Sequence, residues 1–182
     1  MKQKKRIHIG TSGWHYKHWK GPFYPEDMPS SEYLDYYRGS FNCVEINNTF
    51  YSLPEPRTLS SWRAAVPKDF KFAVKASRYI THMKKLKDPE KPLENFLSAV
   101  SSLGDSLGPV LFQLQPGWKV NAERLECFLE QLPSEIRSVF EFRNGSWFAD
   151  NIYELLKNHH AAFCIYDLAG KKMLTLDLTD EI

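Results

Sequence analysis

The chain has 182 residues, of which 42% are hydrophobic and 25% are charged, and its formal net charge is +2 at pH 7. This composition is typical of a globular protein with one sizeable core, and it predicts a single domain over residues 1–182. A net charge so close to zero gives no strong case for nucleic acid or an anionic membrane as a partner. No apolar run approaches the roughly 20 residues of a membrane span, and no signal peptide is recognisable, so we expect a cytoplasmic protein without membrane contact.

Three cysteines, Cys43, Cys127 and Cys164, are widely spaced along the chain. Their odd number and their spacing fit neither a disulfide framework nor a zinc site. We therefore expect all three to be small buried hydrophobic residues.

Six segments carry the short apolar or alternating patterns that are typical of β-strands. These strand candidates cover residues 6–10, 42–47, 70–75, 110–115, 138–143 and 162–167. Amphipathic patterns between them predict helices over residues 31–38, 59–65, 92–104, 122–132 and around 152–156, with Asn121 as the N-cap of the fourth.

Strict alternation of strands and helices favours a parallel sheet covered by helices, in either a doubly wound sheet or a (β/α) barrel. The loop after the first strand reads "GTSGW" and lacks the dinucleotide-binding glycine pattern. Eight βα units of a barrel need roughly 250 residues, and the six strands found here account for about six of them. The sequence therefore predicts either a smaller open sheet or the front part of a TIM-type barrel, to which residues 171–182 could add an extended segment.

Polar side chains recur near the carboxyl ends of the predicted strands, where α/β folds bind their ligands. Glu45 shares a strand face with Asn47, and Glu141 shares one with Arg143, because residues two apart point the same way. Lys75, Gln113 and Asp167 lie at the same ends of other strands. We expect these groups to converge at one opening; the alternative is a buried ion-pair network without a chemical role.

Other candidates lie in the loops. His82 follows the third strand on the presumed ligand side, His15 and His18 lie in the first loop, and His8 is expected to be structural within the first strand. The aromatic loop over residues 13–25 could stack a sugar or base through Trp14, or simply pack on its own rings. A metal site built from Glu45, His82, Glu141 and Asp167 is chemically feasible, but the spacing does not demand it, so metal and cofactor content stay unknown.

Five motifs in order along the chain resemble those of the YecE-like family, a domain of unknown function numbered 72. They read "GTSGWHYKHWKGPFYP", "FNCVEINNTFYSLP", "FKFAVKASRYITH", "LGPVLFQLQPGW" and "FEFRNGSWF". Gln115 is a small departure, since members commonly have proline before Pro116. The resemblance implies a TIM-type barrel whose members carry further strands at the carboxyl terminus, and it implies no settled activity.

We expect an enzyme-like barrel that binds a small polar or phosphorylated ligand, with Glu45 or Glu141 as general acid or base. The predicted ligand-binding residues are Asn47, Lys75, His82, Gln113, Arg143, Asp167, Trp14 and Tyr51. A second hypothesis is a nucleic-acid-binding or nuclease-like barrel that uses the basic segment 82–91 and the aromatic loop; a third is a non-catalytic adaptor. Open sheet edges would favour oligomers of this chain.

Overall fold

The computed structural model describes residues 7–167 of the chain. Within this range six strands alternate with five α-helices, which confirms the predicted α/β fold. The alternation is that of a partial TIM-type barrel. The strands are β1 Gly10–Thr11, β2 Cys43–Ile46, β3 Lys71–Lys75, β4 Leu107–Leu114, β5 Ser138–Phe142 and β6 Ala162–Phe163.

The helices lie between the strands, close to the predicted positions. They are α1 Tyr33–Tyr37, α2 Pro56–Ala64, α3 Glu90–Val100, α4 Ala122–Leu129 and α5 Asp150–Asn158. Asn121 caps α4 as predicted, because its side-chain oxygen accepts a 2.9 Å hydrogen bond from the main-chain N–H of Arg124. Pro56 occupies the first turn of α2, where the missing N–H costs no hydrogen bond. No helix in residues 7–167 has both the length and the apolar character that crossing a bilayer requires.

The described residues form two compact units. The first comprises residues 7–75 and 97–108 and contains β1, β2 and β3, which pair in parallel in that order. Gly10 pairs with Cys43, and Glu45 pairs with Ala73. The single domain predicted over residues 1–182 stays a prediction.

The second unit comprises residues 76–96 and 109–167 and contains most of β4 together with β5 and β6. These strands also pair in parallel, with Gln113 opposite Glu141 and Val139 opposite Ala162. In both units one strand face is fully buried and the other is largely half-buried. The buried face carries Val44, Ile46, Phe72 and Val74 in the first unit, and Val110, Phe112, Leu114, Phe140 and Phe142 in the second.

The first strand is shorter than predicted. Strand pairing begins only at Gly10, and residues 7–9 are exposed. The side chain of Asn42 explains the change, since its Oδ1 accepts from the N–H of Ile9 and its Nδ2 donates to the carbonyl of Ile7. A side chain thus takes the place of a neighbouring strand, and the expectation that His8 is a structural residue within the strand is wrong.

Two further expectations need correction. β6 ends at Phe163 rather than at residue 167, although the N–H of Cys164 still donates to the carbonyl of Phe140. The cysteines are not all buried: Cys127 is exposed on α4, while Cys43 and Cys164 are half-buried, and all three are free thiols. The predicted extension over residues 171–182 lies outside the described residues.

Candidate functional site

In the second unit a buried carboxylate lies at the carboxyl end of β5. Glu141 is 5% exposed, and its Oε1 accepts a 2.9 Å hydrogen bond from Nε2 of Gln113. The strand register produces this contact, because Gln113 lies directly opposite Glu141 on β4. Arg143 follows two residues later on the same face, and its Nε forms an ion pair with the same carboxylate oxygen.

Arg143 is held from a second direction by an aromatic ring. Its guanidinium lies 4.4 Å from the ring centre of Tyr166, a cation–π arrangement. The Arg143 side chain is 21% exposed, against 6% for Glu141, so the cation lies nearer the surface than its partner. The guanidinium carries four more N–H donors on its two Nη atoms beyond the one that faces Glu141. The arrangement can therefore present an oriented cation to a ligand.

Two loops that follow β4 and β5 are joined by hydrogen bonds close to this cluster in sequence. Asn144 donates from Nδ2 to the carbonyl of Pro116 at 2.7 Å, and its Oδ1 accepts from the N–H of Ser146. The hydroxyl of Ser146 in turn accepts from the N–H of Val120 at 2.8 Å. These contacts fix the chain immediately after Arg143.

An aromatic stack completes the support. Trp147 is fully buried, and its ring stacks on Phe142 at 4.9 Å with an angle of 3° between the planes. Its indole N–H donates to the carbonyl of Trp118 at 2.8 Å. Sequence reasoning assigned no role to Trp118, Asn144 or Trp147. The Asn-x-Ser spacing after a strand was a usable signal, since asparagine often accepts a hydrogen bond from the N–H two residues on.

The first unit carries a second cluster of polar side chains, the polar group of this unit, on the half-buried strand face. Glu45 lies on β2 and Lys75 ends β3, with Asn47 just past the end of β2. Asn47 contacts the side chain of Ser12 through Nδ2, and the Lys75 ammonium lies 4.9 Å from the ring centre of Phe50. The expected meeting of both polar groups at one opening stays a prediction.

Thr49 joins the ends of the two strands that carry this group. It is 1% exposed, and its hydroxyl lies 2.9 Å from the carbonyl oxygen of Ile46 and 2.7 Å from that of Lys75. Thr49 therefore connects the end of β2 at Ile46 with the end of β3 at Lys75.

The remaining predicted ligand residues differ in exposure. His82 is half-buried, with Nδ1 2.9 Å from the hydroxyl of Thr81. Tyr51 is 74% exposed, and Asp167 is exposed at the end of the described range. Trp14 is 5% exposed and packs edge-on against Trp62 at 5.0 Å.

The aromatic loop packs largely on itself and on α1. Tyr24 is fully buried and stacks on Tyr33 at 4.0 Å with an angle of 4° between the rings. Its hydroxyl donates to the carbonyl of Trp14 at 2.8 Å. Burial raises the pKa of the Tyr24 phenol well above its ordinary value, and the neighbouring Tyr37 and Tyr33 raise it further. This packing favours the structural alternative for the loop over a stacking surface.

Two further features are the predicted metal site and a cavity in the first unit. Among residues 7–167 no three His, Cys, Asp or Glu side chains are grouped so that they could hold a metal ion. The metal site considered from Glu45, His82, Glu141 and Asp167 stays a hypothesis. A cavity of about 340 Å³ in the first unit is lined by residues 7, 9 and 38–42. Those residues precede β1 and β2, at the end of the strands opposite to the polar group.

Known proteins resemble this chain over most of its described length. The profile of a family described as "Protein of unknown function DUF72" matches residues 8–182. The UPF0759 protein YecE of Escherichia coli is 31% identical over 144 residues, which are 79% of this chain and 50% of that protein. The UPF0759 protein YunF of Bacillus subtilis is 32% identical over 157 residues, with 81% of this chain and 54% of that protein covered.

Solved structures show the same fold. A DUF72 family protein from Thermotoga maritima superposes with a TM-score of 0.78 at 35% identity, covering 88% of this chain and 64% of that one. Another from Enterococcus faecalis gives a TM-score of 0.69 at 20% identity, with 88% and 62% covered. The chain spans about half the length of the curated relatives it matches. It belongs to the DUF72, or YecE-like, family.

Proposed function

We propose that this protein binds a small anionic ligand, a carboxylate or a phosphate ester, at the carboxyl ends of β4 and β5. Arg143 is the residue that contacts the anion, and Glu141 holds its guanidinium in position. The observation that carries the proposal is the buried carboxylate of Glu141 at the end of a parallel strand. It accepts a hydrogen bond from Gln113 and forms an ion pair with Arg143. Ligand sites of α/β folds lie at that end of the strands.

Stability alone is a weak reason for this ion pair. Removing a carboxylate from water is costly, and well-packed apolar residues commonly replace buried ion pairs without loss of stability. Glu141 and Arg143 also differ in exposure, with the cation nearer solvent. A buried anion that orients a partly exposed cation is the arrangement expected of a binding residue and its support.

The geometry of Arg143 suits an anion with two oxygen atoms. One edge of a guanidinium can engage Glu141 while the other offers parallel N–H donors that match a carboxylate or phosphate. The ring of Tyr166 at 4.4 Å restricts the plane of the guanidinium, so less conformational freedom is lost on binding. Lysine at this position would keep the charge but lose the pair of parallel N–H donors.

The proposal also includes proton transfer by a glutamate of each unit. Glu141 is the general acid or base of the second unit, and Glu45 is the corresponding group of the first, beside Lys75 and Asn47. In the second unit Gln113 and His82 orient polar groups of the ligand, and Asp167 is exposed enough to contact it. In the first unit Tyr51 is exposed enough to contact a ligand there.

Thermal unfolding with increasing inorganic phosphate, and separately with malonate, tests the binding step. A ligand that binds only the folded state must raise the unfolding temperature with its concentration. We expect such a rise for the wild type, its loss in Arg143→Gln, and its retention in Arg57→Gln, which neutralises an exposed arginine paired with Glu55. The double variant Arg143→Gln, Glu141→Gln avoids an unpaired buried carboxylate if the single variant unfolds. An equal rise in wild type and double variant would refute the proposal.

A further inference from the structure

The segment from Arg78 to Lys87 in the second unit is unusually basic and has a strained backbone. It reads "RYITHMKKLK", with four lysine or arginine residues and no acidic residue. Its centre, Tyr79–Met83, is a π-helix, a rare turn that is frequent at functional sites. Lys85 and Leu86, neither of them glycine, adopt positive φ angles of 50° and 62°.

Internal hydrogen bonds and burial hold the segment in this shape. The N–H of Lys84 donates to the carbonyl of Tyr79 at 2.8 Å, and that of Leu86 donates to the carbonyl of Ile80 at 2.9 Å. Ile80 and Leu86 are 1% and 2% exposed, so they anchor the segment in the core. Strained residues of this kind persist where the surrounding structure over-determines them, and they cluster at ligand clamps.

The side chains that face outward are cations, the ring of Tyr79 and the side chain of Met83, which is 65% exposed. Tyr79 is 43% exposed, and the ammonium of Lys84 lies 6.0 Å from its ring centre. The ammonium of Lys84 is 3.7 Å from the carboxylate of Asp88. A solvent-accessible ion pair of this kind contributes little to stability, so Lys84 can exchange Asp88 for a phosphate. Arg78 and Lys87 are exposed and Lys85 is half-buried. The segment therefore presents four cations and an accessible ring, with Lys84 next to that ring.

We propose that residues 78–87 form a binding surface for single-stranded nucleic acid, in which the cations contact phosphates and Tyr79 stacks on a base. Unpaired bases expose the π-face that such a ring requires, and cations beside stacking rings are the usual elements of single-strand binding. An anionic membrane fits less well, because Ile80 and Leu86 are buried and Met83 is the one exposed aliphatic side chain of the segment, which makes no apolar face. This surface shares only His82 with the ligand residues proposed above, and none of its four cations is among them.

Fluorescence anisotropy with a labelled 20-nucleotide oligo-dT, and with oligo-U as an RNA arm, tests the proposal across a range of KCl concentrations. With four phosphate contacts, the logarithm of the binding constant should fall with the logarithm of salt at a slope of about −3. Lys84→Gln, Lys85→Gln and Lys87→Gln together should reduce the magnitude of this slope by about 2. The matched control, Arg57→Gln, Lys68→Gln and Lys157→Gln, removes as many exposed cations elsewhere and should leave the slope unchanged.

Stacking is tested separately from charge. Tyr79→Ala should weaken oligonucleotide binding about tenfold, while Tyr79→Phe, which keeps the ring, should bind as the wild type does. Arg143→Gln should bind the oligonucleotide normally, so failure of the proposed ligand site would leave this result intact. Equal slopes in wild type and the 84/85/87 variant would overturn the proposal, as would retention on phosphatidylserine vesicles without any binding of oligonucleotide.

Discussion

The indole N–H of Trp147 donates a hydrogen bond of 2.8 Å to the main-chain carbonyl of Trp118. The two rings also meet edge to face at 5.2 Å, and both are almost entirely buried. The bond connects the loops after β4 and β5 at a distance of 29 residues in sequence. The loop that carries Arg143 is therefore fixed by a tryptophan that contacts neither Arg143 nor Glu141 in the hydrogen-bond network.

Trp147→Phe should destabilise the protein by about 2–4 kcal/mol, because it leaves the buried carbonyl of Trp118 without its donor and opens a small cavity beside Phe142. Urea unfolding monitored by circular dichroism gives the free energy of unfolding. Trp19→Phe is the control. Because Trp19 is only half-buried, this substitution should lower the free energy of unfolding by less than about 1 kcal/mol. Equal losses in the two variants would show that the Trp118 contact carries no particular weight.

Gly10→Ala should disrupt the pairing of β1 with β2. A Cβ at Gly10 would lie 2.0 Å from the carbonyl oxygen of Cys43, far inside van der Waals contact, and the neighbour is backbone that cannot rotate away. We expect a loss of about 1–3 kcal/mol in the free energy of unfolding. Gly117→Ala is the matched control, because no heavy atom lies within 4 Å of a Cβ there, and it should change stability by no more than about 0.5 kcal/mol. A stable Gly10→Ala variant would contradict the close approach of the two strands.

The alternation of apolar and polar residues was enough to predict most of the fold. β5, observed at Ser138–Phe142, was expected at residues 138–143, and α4 begins directly after its predicted cap Asn121. Both depend on local features, namely side-chain direction along a strand and hydrogen-bonding capacity at a helix end. Such features are readable without knowledge of distant contacts.

The contacts of the site were not readable in the same way. The pair Gln113 and Glu141 depends on the register between strands 28 residues apart, which periodicity leaves open. The short β1 depends on Asn42, whose side chain bonds residues 33 and 35 positions earlier in the chain. In each case a specific long-range hydrogen bond overrode the local pattern.

Thr49→Val should loosen the ends of β2 and β3. The hydroxyl has one proton for two nearby carbonyl oxygens, those of Ile46 and Lys75, and valine has the same shape without the proton. The free energy of unfolding should fall by about 1–2 kcal/mol, since a buried acceptor loses its donor. Ser61→Ala, which removes an exposed hydroxyl of α2 that donates to the carbonyl of Thr58, should stay within about 0.5 kcal/mol. A neutral Thr49→Val variant would mean that water or another donor replaces the hydroxyl.

Alkaline pH should destabilise the protein through the buried phenol of Tyr24. Its pKa is raised above the ordinary 10.0, chiefly by burial, so above about pH 10 the unfolded chain loses a proton that the folded chain retains. The unfolded state then binds fewer protons, and stability falls as pH rises, by up to about 1.4 kcal/mol per pH unit for this group.

Tyr24→Phe removes that proton from both states, so its free energy of unfolding should fall less steeply than that of the wild type above pH 10. Below pH 10 the variant should differ by a constant amount, because it lacks only the hydrogen bond to the carbonyl of Trp14. Urea unfolding at intervals between pH 7 and 11.5, with reductant present, measures both slopes. Tyr51→Phe, at a residue that is 74% exposed, should run parallel to the wild type throughout. If Tyr24→Phe also ran parallel, the phenol of Tyr24 would not be the group that loses its proton on unfolding.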